Sequence, residues 1–180
     1  MAHQERAEWS VRTANMNDRP AILELVRRAF AGHGHDPQVE VDIVRATWSS
    51  GATPHGQELV ATDDGNRVVG HVLPALGELD GRPAIAIAPL CVEPDHQGRG
   101  VGSTLMEEAL RRIEASGRPF VLLLGNPAYY ARFGFEAAAS HGIHYSSVGV
   151  DNPHFMVRRF GAQGRIDGGL FRYCWEMAGH

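Results

Sequence analysis

Two periodicities alternate along the chain, because apolar residues recur at helical spacing in some segments and at strand spacing in others. Such alternation is typical of mixed α/β proteins, and it predicts one domain over residues 1–180, with a central mixed sheet of about seven strands and about four helices. The predicted strands are 9–15, 57–63, 66–76, 83–92, 119–124, 154–160 and 169–176. Four helices are predicted. One begins at the cap residue Asn17 or Asp18, one begins at Asp36-Pro37, and the other two occupy 99–116 and 126–132.

Two local signals sharpen this prediction. The sequence DDGN, from Asp63 to Asn66, is typical of a hairpin turn between two strands. Pro89 lies inside the apolar segment 83–92, where its missing N–H removes a ladder hydrogen bond. We therefore expect a bulge near Pro89 in an otherwise central strand.

Composition narrows the function classes. The 180-residue chain has a formal net charge of −4 without charge runs, which argues against a nucleic-acid-binding face. No apolar run is long enough to span a membrane, and the N-terminal MAHQERAEWS lacks the apolar core of a signal peptide. Two cysteines are too few for a disulfide framework, and the ten histidines show no metal-ligand spacing. These features predict a cytoplasmic protein without a metal.

The stretch HQGRGVGST, residues 96–104, is the strongest chemical signal. Glycines let several backbone N–H groups converge, and the N-terminus of the following helix adds partial positive charge, so the stretch predicts a phosphate-binding turn. It lacks the lysine of a Walker A loop, and its Gly98-x-Gly100-x-Gly102 spacing differs from the dinucleotide fingerprint. A glycine-rich turn that only caps the helix is the alternative interpretation.

Two sequence blocks resemble the GCN5-related N-acetyltransferase (GNAT) superfamily. The first runs from Val92 to Gly102 (VEPDHQGRGVG) and resembles its acyl-CoA-binding motif, and the second runs from Asn126 to Phe135 (NPAYYARFGF). Together they look like the bacterial YhbS-like group of N-acetyltransferases, and the resemblance extends over about residues 10–176. It implies a GNAT fold in which the bulged strand splays away from its neighbour.

The resemblance also implies ligands and roles. Acetyl-CoA would lie in the splayed gap, with its pyrophosphate on the amides from Gln97 to Ser103, and Tyr130 would be the general acid that protonates the departing thiolate. Tyr129 is the alternative to Tyr130, and the Val92 N–H would polarise the carbonyl oxygen. The residues expected to bind the donor are Leu90, Cys91, Val92, Gln97, Gly98, Arg99, Gly100, Val101, Gly102, Ser103, Thr104 and Asn126.

The chain departs from the family pattern at the general base. Many relatives place a glutamate where this sequence has Ala88, between the non-titrating Ile87 and Pro89. Glu93 lies beyond the strand, and we expect it to face solvent. His71 could act through water, although a single histidine in a strand is more often structural, and a chain of waters is the remaining option. We interpret Cys91 as a small buried residue rather than a nucleophile, because its strand is apolar.

The acceptor is a primary amine by resemblance: a small molecule, or the N-terminus or a lysine of a protein. Phe30, Trp48 and Tyr145 are candidates for an apolar wall or for the core. The acidic and histidine residues of AGHGHDPQVEVD are interpreted as a solvated face, with steering of a cationic amine as the alternative; they are His33, His35, Asp36, Glu40 and Asp42. A non-catalytic acyl-CoA-binding regulator is the alternative function, and a homodimer, a longer acyl donor and the choice of base remain open.

Overall fold

The computed structural model describes residues 9–32, 34, 36–149, 151–161 and 166–177, which form a sheet covered by helices on both faces. The strands are β1 (Trp9–Thr13), β2 (Leu59–Asp63), β3 (Val68–Leu79), β4 (Arg82–Val92), β5 (Phe120–Leu124), β6 (Glu136–Ala137), β7 (Ile143–Tyr145), β8 (Phe155–Arg159) and β9 (Gly169–Tyr173). The α-helices are α1 (Arg19–Phe30), α2 (Pro37–Ser49), α3 (Val101–Ala115), α4 (Pro127–Tyr130) and α5 (Cys174–Met177).

Within these described ranges the sheet has nine strands, with the order β1-β2-β3-β4-β5-β8-β6 along its main path. Strand β9 pairs with the far end of β3 and with β7. Pairing is antiparallel except between β4 and β5 and between β7 and β9, so the predicted mixed sheet is confirmed. The bounds place the parallel pair β4 and β5 at the centre, where a crossover through α3 joins them.

Alternation of side chains divides the core between the two faces of the sheet. Leu59 and Ala61 of β2 pack with Leu105 of α3 in one apolar cluster. Val60, between them, packs with Leu25 of α1 in another. Helix α3 thus covers one face of this half of the sheet, and α1 and α2 cover the other.

Local signals located most elements correctly. The side chain of Asp36 accepts a hydrogen bond from the Gln38 N–H (2.9 Å) at the start of α2, as a cap does. Helix α3 begins two residues later than expected, because Arg99 and Gly100 belong to the preceding turn. The predicted strand 169–176 is half wrong: β9 ends at Tyr173 and α5 follows.

Candidate functional site

The strands β4 and β5 separate where the proline predicts an irregularity. They pair only at Ala86–Leu122 and Ile87–Leu123. Beyond that point two residues of β4, Ala88 and Pro89, lie opposite a single residue of β3, Leu73. The peptide bond between Ala88 and Pro89 is cis. This is the predicted bulge near Pro89, and it turns the end of β4 away from β5, so that a gap opens between them.

The backbone of β4 offers hydrogen-bonding groups to this gap. The Glu93 N–H donates to the carbonyl oxygen of Val69 in β3 at 2.8 Å. In an antiparallel pair every second residue forms hydrogen bonds with the partner strand, so this bond shows which residues at the end of β4 point their backbone groups toward β3. The backbone groups of Leu90 and Val92 consequently face the gap, whereas those of Cys91 pair with His71. The expectation that all three residues offer backbone groups is therefore corrected for Cys91.

The glycine turn brings backbone amides to the same end of the gap. Gly98 and Gly100 have φ of 72° and 93°, the left-handed conformation that favours glycine. The first helical turn of α3 follows, and in such a turn the leading N–H groups have no partner within the helix. The Gln97 side chain donates to the carbonyl oxygen of Val92 (3.1 Å) and thereby fixes the turn against β4.

A cleft of about 520 Å³ lies between this turn and the splayed strand, and we name it the loop cleft. Most of the residues predicted to bind the donor line it. Its lining is Ala29, Phe30, Leu90, Cys91, Val92, His96, Gln97, Gly98, Gly100, Gly102, Ser103, Tyr129, Tyr130 and Arg132.

Four residues predicted to bind the donor lie elsewhere. Arg99 is exposed, Val101 is buried in the core beneath α3, and the Thr104 hydroxyl donates to the Gly100 carbonyl oxygen at 3.1 Å. Asn126 accepts a hydrogen bond from the Ala128 N–H (3.0 Å) as the cap of α4. None of the four lines the loop cleft.

The two tyrosines of α4 take different positions, as their neighbouring places in a short helix predict. The Tyr129 hydroxyl lies beside Gly102, where an added Cβ would approach it to 2.9 Å. The Arg132 guanidinium lies 4.5 Å from the centre of the Tyr129 ring. Tyr129 thus lies at the helical end of the cleft.

Tyr130 lines the same cleft. Its ring contacts Gly125 so closely that any side chain there would collide with it, and it packs edge-on against Phe135 with ring centres 6.0 Å apart. Burial raises the pKa of the Tyr130 phenol well above its usual value of 10, with a smaller effect from the neighbouring Tyr129. Tyr130 therefore keeps its proton throughout the neutral range.

A second cavity, of about 490 Å³, also has Tyr130 in its lining, and we name it the aromatic cavity. It shares Phe30, Leu90, Tyr129 and Tyr130 with the loop cleft, so the two spaces adjoin along these side chains. The rest of its lining is Glu40, Ile43, Ile87, Ala88, Pro89, Leu124, Gly125, Asn126, Tyr145, Tyr173 and Trp175.

The C-terminal aromatic residues of this cavity were missed from the sequence. Tyr173 and Trp175 stack with ring centres 4.0 Å apart, and Tyr145 packs against Tyr173 at 5.5 Å. Their signal is the alternation of Phe171, Tyr173 and Trp175, which would place all three on one face of an extended segment. Of the three wall candidates, Phe30 and Tyr145 line the cavity, whereas Trp48 donates to Glu58 at 3.0 Å instead.

The predicted environment of Glu93 is wrong. Its side chain is buried, and Arg28 of α1 donates to both carboxylate oxygens at 2.8 and 3.0 Å. This burial occurs because α1 crosses the end of β4, which brings a guanidinium over the position that follows Val92. Glu93 therefore ties a helix to the sheet and does not face solvent.

His71 lies in the core and lines neither cavity. Its Nε2 atom is 2.9 Å from the Glu58 carboxylate, which also accepts the Trp48 hydrogen bond. Its Nδ1 atom has no hydrogen-bond partner in the described structure. The geometry supports the structural interpretation of His71.

Cys91 is also buried, and burial raises the pKa of its thiol, with the carboxylates of Glu40 and Glu93 acting in the same direction. A thiol in this state is a poor nucleophile. Of the acidic and histidine residues expected on a solvated face, Asp36 caps α2, Asp42 is exposed, and Glu40 lines the aromatic cavity. His33 and His35 lie outside the described residues.

The splayed sheet, the glycine turn and the tyrosine of α4 together define a GNAT-type N-acetyltransferase. The chain belongs to the GNAT acetyltransferase family, since the model of the acetyltransferase (GNAT) domain matches residues 10–138. It is 34% identical over 160 residues to the uncharacterized N-acetyltransferase YhbS of Escherichia coli K12, covering 87% of this chain and 90% of that protein. The predicted family, YhbS-like resemblance, fold and enzyme class are thereby confirmed.

Solved structures show the same relationship. The crystal structure of Escherichia coli YhbS in complex with CoA matches with a TM-score of 0.84 and 31% identity, over 96% of this chain and 93% of that one. A GNAT family acetyltransferase from Brucella melitensis in complex with acetyl-CoA matches with a TM-score of 0.76 and 26% identity, over 93% of this chain and 97% of that one.

Within the described ranges, no group of three or more histidine, cysteine, aspartate or glutamate side chains is arranged to hold a metal ion. Among the helices that the structure describes, none has both the length and the apolar character to span a membrane.

Proposed function

We propose that this chain transfers an acetyl group from acetyl-CoA to a primary amine by direct attack within a ternary complex. The observation that best supports the proposal is that the loop cleft and the aromatic cavity adjoin at the tyrosines of α4. Tyr129 and Tyr130 line both spaces, but the Tyr129 hydroxyl lies beside Gly102 of the turn, which leaves the Tyr130 phenol for the junction. A donor in the first space and an acceptor in the second would meet at this phenol. YhbS bound to CoA and the Brucella enzyme bound to acetyl-CoA support the identity of the donor.

The loop cleft fits the parts of acetyl-CoA. The amides of the turn from Gln97 to Ser103 and the positive end of α3 would hold the pyrophosphate. The backbone groups of Leu90 and the carbonyl oxygen of Val92 would pair with the amides of the pantetheine arm, as a β-strand partner does. The two strands pair only at Ala86–Leu122 and Ile87–Leu123, which supports a place for this arm between them beyond Ile87.

The chemistry assigns one role to each of two groups. The Val92 N–H, which faces the gap, would donate to the carbonyl oxygen as negative charge develops on it. Tyr130, kept protonated by burial, would give its proton to the departing thiolate. Direct attack is favoured over an acyl-cysteine because the Cys91 thiol, buried and with a raised pKa, is poorly nucleophilic.

A Tyr130→Phe substitution tests the proposal. We expect wild type and variant to show the same rise in melting temperature on addition of acetyl-CoA, because the ring and its packing remain. Release of CoA to an amine should fall by about 100-fold or more, since a positioned general acid contributes on that order. The measurements are thermal unfolding and a thiol assay with a panel of primary amines.

Tyr129→Phe is the matched control, because it removes a neighbouring phenol from the same helix. It should retain most of the activity. If Tyr129→Phe abolishes CoA release and Tyr130→Phe does not, the roles are reversed. If acetyl-CoA raises the melting temperature but no amine releases CoA, the chain is a binding regulator, and if acetyl-CoA has no effect, both functions are excluded. The cytoplasmic location, the homodimer and the single domain stay predictions.

A further inference from the structure

The aromatic cavity also restricts the chemistry of the acceptor, if the proposed function is correct. Among the described residues that line it, Glu40 is the single one with a side chain that is charged at neutral pH. The half-buried Glu40 lies in the first turn of α2 and lines the same cavity as Ala88 and Pro89 of the bulge. Burial is the main cause of the raised pKa of Tyr130 and of Tyr173, and the Glu40 carboxylate contributes to both in the same direction.

Aromatic rings form the wall on the C-terminal side. Tyr145 donates from its hydroxyl to the Glu176 carboxylate at 2.8 Å, and the second carboxylate oxygen accepts from the Tyr173 N–H, also at 2.8 Å. These bonds fix Tyr145 and Tyr173 against each other, with Trp175 stacked on Tyr173. Fixed π faces bind aromatic groups edge-on or offset, and they attract cations.

We propose that the acceptor is a primary amine with one positive charge and an apolar, preferably aromatic, body. The Glu40 carboxylate binds its ammonium group near Tyr130, and the rings of Tyr145, Tyr173 and Trp175 bind its body. A polyamine is disfavoured because the described lining residues offer no second carboxylate, and π faces recover only part of the hydration that a further ammonium group loses. A zwitterionic amino acid is disfavoured because no cation among the described lining residues can pair with its carboxylate.

The proton balance of the transfer is complete with these groups. The ammonium loses one proton through Glu40 to water, and the neutral nitrogen then attacks the carbonyl carbon as the carbon–sulfur bond breaks. Tyr130 gives its proton to sulfur, and the second proton that nitrogen loses restores the phenol. One proton is released to solvent in each turnover.

A panel of amines tests the acceptor class. We expect 2-phenylethylamine to have a kcat/KM about tenfold above that of n-butylamine, spermidine, phenylalanine or a peptide with a free N-terminus, given the usual contribution of aromatic contacts. A preference for spermidine, phenylalanine or the peptide overturns this inference alone. If no amine releases CoA although acetyl-CoA raises the melting temperature, the proposed function fails as well.

Variants separate the charge from the aromatic wall. Glu40→Gln should raise the KM for 2-phenylethylamine about tenfold, as expected for loss of a charged hydrogen bond, with the KM for acetyl-CoA unchanged. Inhibition by the neutral 2-phenylethanol should be unaffected by Glu40→Gln and weakened by Trp175→Leu. Asp42→Asn, an exposed position on the same helix, is the matched control. Equal effects of Glu40→Gln and Asp42→Asn, or no effect of Glu40→Gln, overturn the inference.

Discussion

Two glutamates near the end of β4 differ in their surroundings, and the difference assigns their roles. Glu93 follows the strand directly in sequence, yet both of its carboxylate oxygens accept hydrogen bonds from Arg28. Glu40 is distant in sequence and lines the aromatic cavity. Because Arg28 occupies both carboxylate oxygens of Glu93 and the side chain lines neither cavity, Glu93 is poorly placed to accept a proton from an amine. We therefore assign Glu93 to stability and Glu40 to the acceptor.

Glu93→Gln should lower the free energy of unfolding by about 1–2 kcal/mol. A fully buried pair of charged hydrogen bonds would contribute more, but Arg28 is half-exposed and solvent screens its charge. In the folded variant kcat should be unchanged, because Glu93 takes no part in proton transfer. Denaturant unfolding and steady-state kinetics measure the two effects. Glu24→Gln, which removes the exposed partner of Arg27, is the control and should change neither. A large loss of kcat at normal stability would place Glu93 in the proton path.

Helix α3 combines two functions at its opposite ends. Its N-terminal turn directs amides into the loop cleft, where the absence of a side chain at Gly102 leaves room beside the Tyr129 hydroxyl. Its C-terminal end is closed by Gly117, whose φ of 79° is the conformation typical of a helix-ending glycine. We propose that the first end serves binding of the donor and the second serves folding, so substitutions at the two glycines should have different effects.

Gly102→Ala should weaken acetyl-CoA binding about tenfold, on the order of one charged hydrogen bond to the pyrophosphate. The unliganded protein should be as stable as wild type, because alanine favours a helix and the tyrosine hydroxyl can shift. Gly117→Ala should lower the stability of the unliganded protein by about 1 kcal/mol, because residue 117 has a left-handed backbone that alanine adopts poorly. Its affinity for acetyl-CoA should equal that of wild type. Calorimetry and thermal unfolding of both variants measure this. Similar effects of the two substitutions on affinity would contradict the assignment.

At the scale of the whole molecule, the sequence predicts features whose causes are local. Pro89 predicts the bulge because its chemistry excludes a regular ladder, and the glycines of HQGRGVGST predict the turn for the same kind of reason. The burial of Glu93 could not be predicted, because it depends on how α1 crosses the sheet. The aromatic wall requires β9 to pair beside β3, a contact between residues about 95 positions apart, which no local pattern specifies.

The most direct test of the central claim is a crystal structure of the chain with acetyl-CoA. We expect the pyrophosphate to accept hydrogen bonds from the amides of the turn from Gln97 to Ser103. The pantetheine arm should pair with the backbone of Leu90 and Val92, and the thioester sulfur should lie within hydrogen-bonding distance of the Tyr130 hydroxyl. A sulfur beside the Tyr129 hydroxyl instead, or an acyl group outside the gap between β4 and β5, would contradict the account.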